Sequence, residues 1–131
     1  MICFLDTDVC IAHLRAADRS LESYLGGNPE LEVRLPAVVA AELIYGARKS
    51  VSQRNLEWTK GFISQFMIEP FSDSAIGHYA DIRLFLEKQG VPIGPNDLLI
   101  AAIVRANGGL LLTNNVGEFR RIPQMQVVSL S

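Results

Sequence analysis

Long apolar runs are missing from this chain. No uninterrupted stretch approaches the roughly 20 residues that a membrane span needs. A basic leader is missing too: MICFLDTDVCIAHL carries two acids and no Lys or Arg, which does not fit a secretory signal. Cysteine is scarce. Cys3 and Cys10 stand alone among 131 residues, and in an apolar segment they read as buried thiols of a reduced, cytoplasmic protein. Positive charge is not in excess. A net charge of −2 and a pI near 5.6 exclude a protein coated with basic surface for non-specific nucleic-acid binding. The few cations are nine Arg to three Lys, with Arg48-Lys49 and Arg120-Arg121 as the tightest pairs. Each pair reads either as a solvated helix end or as a local phosphate contact, to which guanidinium groups are suited. Repeats, linkers and low-complexity tracts are absent.

What is present is apolar sequence interrupted by isolated acids. At 49% apolar residues, the 131 residues make one globular domain with a real core. Asp6 and Asp8 are the only charges between Met1 and Arg15. Glu42 is the only one between Arg34 and Arg48, and Asp97 the only one between Lys88 and Arg105. Carboxylates in such surroundings need compensation. Acids from distant parts of the chain, each embedded this way, suggest one shared cluster, most easily held by a divalent cation.

The pattern predicts strands at 2–5, 33–36, 68–71, 110–113 and 127–130. Helices are expected from Thr7 or Asp8 to Ala17, at 19–26, 37–50, Ser52–Met67, Asp73–Gln89 and from Pro95 to Ala106. The helix over 37–50 is apolar nearly all round, so deep burial is expected. Short apolar strands alternating with helices predict an α/β three-layer sandwich with a mainly parallel sheet of about five strands. Such folds bind ligands beyond the carboxyl ends of their strands. Asp6 ends the first strand and Asn115 follows the fourth.

Each acid has an ordinary role beside the chemical one. Asp6 is a helix cap or a metal ligand. Glu42 has apolar neighbours three and four residues away (Val38, Val39, Tyr45, Gly46), which favours a paired or metal-bound carboxylate. Asp97, in a first helical turn, complements the helix dipole or binds metal. Thr113, Asn114 and Asn115 offer small polar groups, with Glu118 nearby. His13 and His78 lack partners at metal-ligand spacing, and Cys10-x-x-His13 is too little for zinc. Oxygen donors alone point to Mg²⁺ or Mn²⁺.

Four segments in order, FLDTDVCI, AAELIYGARKS, VPIGPNDLLIAA and LLTNNVGEFRRI, resemble the PIN-domain family, specifically VapC-type toxins of bacterial toxin–antitoxin pairs. The resemblance spans essentially the whole chain. It places the family's acidic positions on Asp6, Glu42 and Asp97, and the fourth on Asn115 with Glu118 nearby. Many members carry Asp where this chain has Asn115, so Glu118 is a candidate replacement. Relatives often have Asn at Asp8, which leaves Asp8 as an extra ligand or a helix cap. The resemblance implies a Mg²⁺- or Mn²⁺-dependent endoribonuclease, a homodimer and a VapB-type antitoxin. ELIYGARKS and IGPNDLLIAA together suggest the tRNA-cleaving branch. Arg48, Lys49, Arg120 and Arg121 are the candidate RNA-phosphate contacts.

Two other readings compete. Asp6-Thr7-Asp8 after a strand also fits the first half of a haloacid-dehalogenase-type phosphatase motif, with Cys10 at its last position. Asn115 keeps open a PIN-like module that binds RNA or a partner without catalysis. Independently, the apolar 37–47 helix and an exposed set of Trp58, Phe62 and Phe66 predict a dimer.

Overall fold

Five parallel strands form one sheet in the order β3-β2-β1-β4-β5. The computed structural model describes residues 1–15 and 18–130. The strands are β1 (Ile2–Leu5), β2 (Glu32–Pro36), β3 (Met67–Glu69), β4 (Leu110–Leu112) and β5 (Gln126–Val128). The helices are α1 (Thr7–Leu14), α2 (Ser20–Gly27), α3 (Ala37–Lys49), α4 (Gln53–Ile63), α5 (Asp73–Lys88), α6 (Pro95–Ala106) and α7 (Val116–Phe119). The α/β parallel-sheet expectation is met.

The centre of the sheet is apolar because strands covered on both faces need it to be. Cys3, Phe4, Leu5, Leu111 and Leu112 are all fully buried. In α6, Ile100 to Val104 form an unbroken buried run, which makes this helix part of the core. The close approach of β1 to the turn before β4 requires glycine. A Cβ on Gly109 would sit 2.7 Å from the Phe4 ring and 3.0 Å from the Ile2 carbonyl oxygen.

The register fixes where function can lie. Leu5 pairs with Leu112, and the Asp6 N–H donates to the Leu112 carbonyl at 2.9 Å. The next residues, Asp6 and Thr113, therefore emerge side by side. The chain leaves β1 for β2 on one side, while β4 lies on the other. This is a topological switch point, where the strand ends part to leave a crevice.

Several expectations need correction. The first helix ends at Leu14, and its predicted last residues, Ala16 and Ala17, lie outside the described residues. Helix α4 stops at Ile63, so Met67 opens β3 instead of ending a helix, and β3 is over before Pro70. Helix α3 is not buried all round. Val39, Leu43 and Ala47 are buried, but Tyr45 is 67% exposed. Its opposite side carries Ala40 and Ala41, whose small side chains gain little from burial. Of the supposedly exposed aromatic trio only Trp58 is exposed. Phe62 is buried against His13 and Phe66, and Phe66 is half-buried. Cys3 and Cys10 are buried free thiols, as expected, and burial pushes the Cys3 thiol up to about 12.

Candidate active site

At the carboxyl edge of the sheet, Asp6 is both things the sequence allowed. It is the N-cap residue of α1, its Oδ1 accepting the Thr7 N–H at 2.8 Å. It is also a buried carboxylate, with the Thr113 hydroxyl donating to Oδ2 at 2.7 Å. Burial pushes its pKa up from the usual carboxylate value to about 6, and the negative charges of Asp8 and Glu42 add to the rise. The hydrogen bonds from Thr113 and Thr7 oppose it.

Asp97 enters from the first turn of α6, which Gly94 and Pro95 open. Its pKa is pushed up to about 7, first by desolvation and then by the charge of Asp6. Glu118 adds both its charge and a hydrogen bond, and Glu42 adds its charge. Asp97 thus lies in the field of Asp6, Glu42 and Glu118, which come from three other elements. Burial first, and the neighbouring negative charges after it, favour the protonated form of Asp97.

Glu42, half-buried in mid-α3, is reached by donors from two other helices. The Thr7 hydroxyl donates to Oε1 at 2.6 Å and the Asn96 amide to Oε2 at 3.3 Å. Glu118 is bound in a similar way. The Gly94 N–H donates to its Oε1 at 3.2 Å and the Asn115 side-chain amide to its Oε2. Asn115 thus serves Glu118, and its backbone N–H donates to the Thr113 hydroxyl oxygen at 2.9 Å. Asp8 holds the loop after β4: the Asn114 N–H donates to its two carboxylate oxygens at 3.1 and 3.3 Å.

Among the described residues, no group of three or more His, Cys, Asp or Glu is set to hold a metal ion as it stands. The donor chemistry nevertheless fits a hard divalent cation, since Asp6, Glu42, Asp97 and Glu118 offer carboxylate oxygens.

Arg48, Lys49, Arg120 and Arg121 are all exposed. Arg120 and Arg121 directly follow α7, which carries Glu118. Arg48 lies six residues along α3 from Glu42, about 9 Å at the helical rise. Thr7, Asn96 and the Gly94 N–H were not singled out from the sequence. Their only signal is position, Thr7 next to Asp6 and Asn96 next to Asp97. The short helix α7 was missed as well.

The PIN domain family model matches residues 3–124. A Shigella flexneri protein named tRNA(fMet)-specific endonuclease VapC is 36% identical over 119 residues, 90% of this chain and 89% of its own length. The crystal structure of VapBC2 from Rickettsia felis, bound to a DNA fragment from its promoter, superposes with a TM-score of 0.90 at 33% identity. It covers 98% of both chains. DNA-bound VapBC from Salmonella typhimurium gives a TM-score of 0.91 at 32% identity, over 100% of this chain and 99% of that one. These matches displace the phosphatase reading of Asp6-Thr7-Asp8, and Cys10, the residue that broke that motif, is fully buried in α1. On its sequence and its fold, the chain belongs to the PIN domain family and, within it, to the VapC proteins.

Proposed function

We propose that this chain is an endoribonuclease toxin that hydrolyses RNA phosphodiester bonds with Mg²⁺ or Mn²⁺, and that a VapB-type antitoxin restrains it. The observation that carries this is the set of hydrogen bonds that ties Asp6, Glu42 and Glu118 to the residues beside Asp6 and Asp97 at the switch point of a PIN sheet. The kinship with VapC ribonucleases supplies the substrate class, and the Shigella relative's name makes tRNA the first substrate to test. The named VapBC complexes support an antitoxin partner.

Asp6, Asp97 and Glu42 would hold the ion, with Glu118 completing the set. A divalent ion bound there lowers the pKa of a water, orients it and neutralises charge developing on the phosphate. The protein's own part is positional. Thr113 fixes Asp6, Asn115 and the Gly94 N–H fix Glu118, and Asp97 holds a proton against Glu118 in the ion-free state. Arg48, Lys49, Arg120 and Arg121 are the side chains assigned to RNA phosphates.

Asn115 does not silence such a site, because Glu118 brings a carboxylate to the same loop. A homodimer is part of the reading. Trp58 and Tyr45 are exposed aromatic residues on α4 and α3, a surface that a second copy would cover. A sedimentation mass of one chain at micromolar concentration would refute that part. Among the described residues, no helix is long and apolar enough to cross a membrane, and the reading places the protein in the cytoplasm.

The test is cleavage of purified tRNA and total RNA by the purified chain. Cleavage is expected with Mn²⁺ or Mg²⁺, lost on chelation and lost in Asp6→Asn. Cleavage that persists in excess EDTA overturns the mechanism.

A further inference from the structure

We propose that Thr7 and Asn96 are positioning residues that together set the Glu42 carboxylate for ion binding. Each is the chain neighbour of another acid of the cluster, Thr7 of Asp6 and Asn96 of Asp97. Thr7 links two acids at once. Its N–H donates to Asp6 Oδ1 at 2.8 Å, and its hydroxyl donates to Glu42 Oε1 at 2.6 Å. Asn96 approaches from the other side, donating to Glu42 Oε2 at 3.3 Å from the first turn of α6. Glu42 is thereby referenced to both α1 and α6, the two helices that deliver the other acids.

A lone glutamate on α3 has three rotatable bonds, and its charge would swing it away from Asp6 and Asp97. Two donors from two elements remove that freedom. They also leave the carboxylate usable. Its oxygens have about four acceptor sites, and the clamp occupies only one on each. Thr7 is stiff at χ1 because it is β-branched, so its hydroxyl is a fixed point. The proposal rests on the reading of Asp6, Glu42 and Asp97 as one ion-binding set.

The test uses the purified full chain and Mn²⁺ itself, with free Mn²⁺ followed by its electron paramagnetic resonance signal and RNA cleavage measured across the same titration. Thr7→Val keeps shape and removes the donor. It is expected to raise the Mn²⁺ midpoint by about tenfold to hundredfold, with cleavage shifting in parallel. Thr7→Ser, which restores the hydroxyl, is expected to recover most of that loss. Asn96→Ala, at an exposed site whose loss leaves the core intact, is expected to cost about fivefold. In a Glu42→Gln background, Thr7→Val is expected to add little.

A Thr7→Val or Asn96→Ala midpoint equal to or below the wild type overturns the clamp, since these bonds would then be idle or would withdraw Glu42. Failure of Thr7→Ser to bind better than Thr7→Val, at equal melting temperature, also overturns it. A wild type that neither takes up Mn²⁺ nor cleaves RNA overturns the site reading and the clamp together. Wild-type uptake with unaffected variants overturns the clamp alone.

Discussion

The Thr113 hydroxyl donates to the Asp6 carboxylate at 2.7 Å, a buried contact between residues 107 apart in sequence. It ties the ends of β1 and β4 at the point where the sheet opens. A charged acceptor makes such a bond worth about 1.5–3 kcal/mol.

Thr113→Val is therefore expected to destabilise the ion-free protein by about that amount at pH 8. The hydroxyl lowers a pKa that burial raises to about 6, so its loss raises it further. An acid whose folded pKa is raised costs stability as pH climbs through that value. The loss at pH 5, where Asp6 is protonated, is expected to be clearly smaller. Urea unfolding at the two pH values, in EDTA, checks this. Equal losses would mean that Thr113 does not answer the Asp6 charge.

Glu118 and Asn115 form a hydrogen-bonded pair with distinct parts. Glu118→Gln is expected to reduce RNA cleavage by about a hundredfold or more, as loss of a ligand does. Asn115→Ala is expected to cost about tenfold, as loss of a ligand's orienting partner does. The double variant should be little worse than Glu118→Gln. Single-turnover rates at saturating Mn²⁺ decide the order, and the reverse order would make Asn115 the primary group.

Val51 lies outside the site and is strained. It has φ 56° between α3 and α4, where a β-branched side chain meets the following carbonyl, and it is 90% exposed. The left-handed conformation costs roughly 1–2 kcal/mol, and glycine's extra chain entropy returns part of any relief. Val51→Gly is expected to raise stability by about 0.5–1 kcal/mol with RNA cleavage unchanged. Denaturant titration at constant slope reads this out, and a loss of stability would show that the valine side chain makes a contact worth more than its strain.

The parts legible in the sequence were those set by local pattern. Strand β1 and helix α6 show in their apolar runs, and Asp6, Glu42 and Asp97 show in their isolation among such runs. What pairs with those acids was not legible. Thr7 and Glu42 are 35 residues apart, and Asn96 and Glu42 are 54 apart. No local period reports a contact made by folding. Helix α7 escaped because four residues give too short a window for a 3.6-residue repeat. Phe62 was misplaced because α4 is amphipathic, and only tertiary packing decides which face turns inward. Helix α3 looked buried on every side because alanine counts as apolar, although its small side chain drives little burial.

Asp97 gives the sharpest contrast between stability and function. Its folded pKa, about 7, lies above the ordinary aspartate value of 3.8. Between those values the folded chain holds a proton that the unfolded chain has lost. Asp97's contribution to the stability of the ion-free protein therefore falls as pH rises from about 4 to about 7 and then levels off. Asp97→Asn removes the charge at nearly constant shape. At pH 8 it removes the cost of a part-buried charge and its repulsion from Asp6, Glu118 and Glu42 but forfeits about 0.3–1 kcal/mol of helix-dipole attraction in the first turn of α6. The repulsion is larger, since burial strengthens it. A net gain of roughly 1–2 kcal/mol implies a melting temperature several degrees above wild type in EDTA at pH 8. At pH 5 the difference should shrink, because wild-type Asp97 is already neutral there. Added Mn²⁺ is expected to raise the wild type more than the variant, and RNA cleavage by the variant should be lost. A variant that melts below wild type at pH 8 would show that Asp97 serves α6 as a helix-stabilising acid more than it burdens the fold as a member of a repelling cluster.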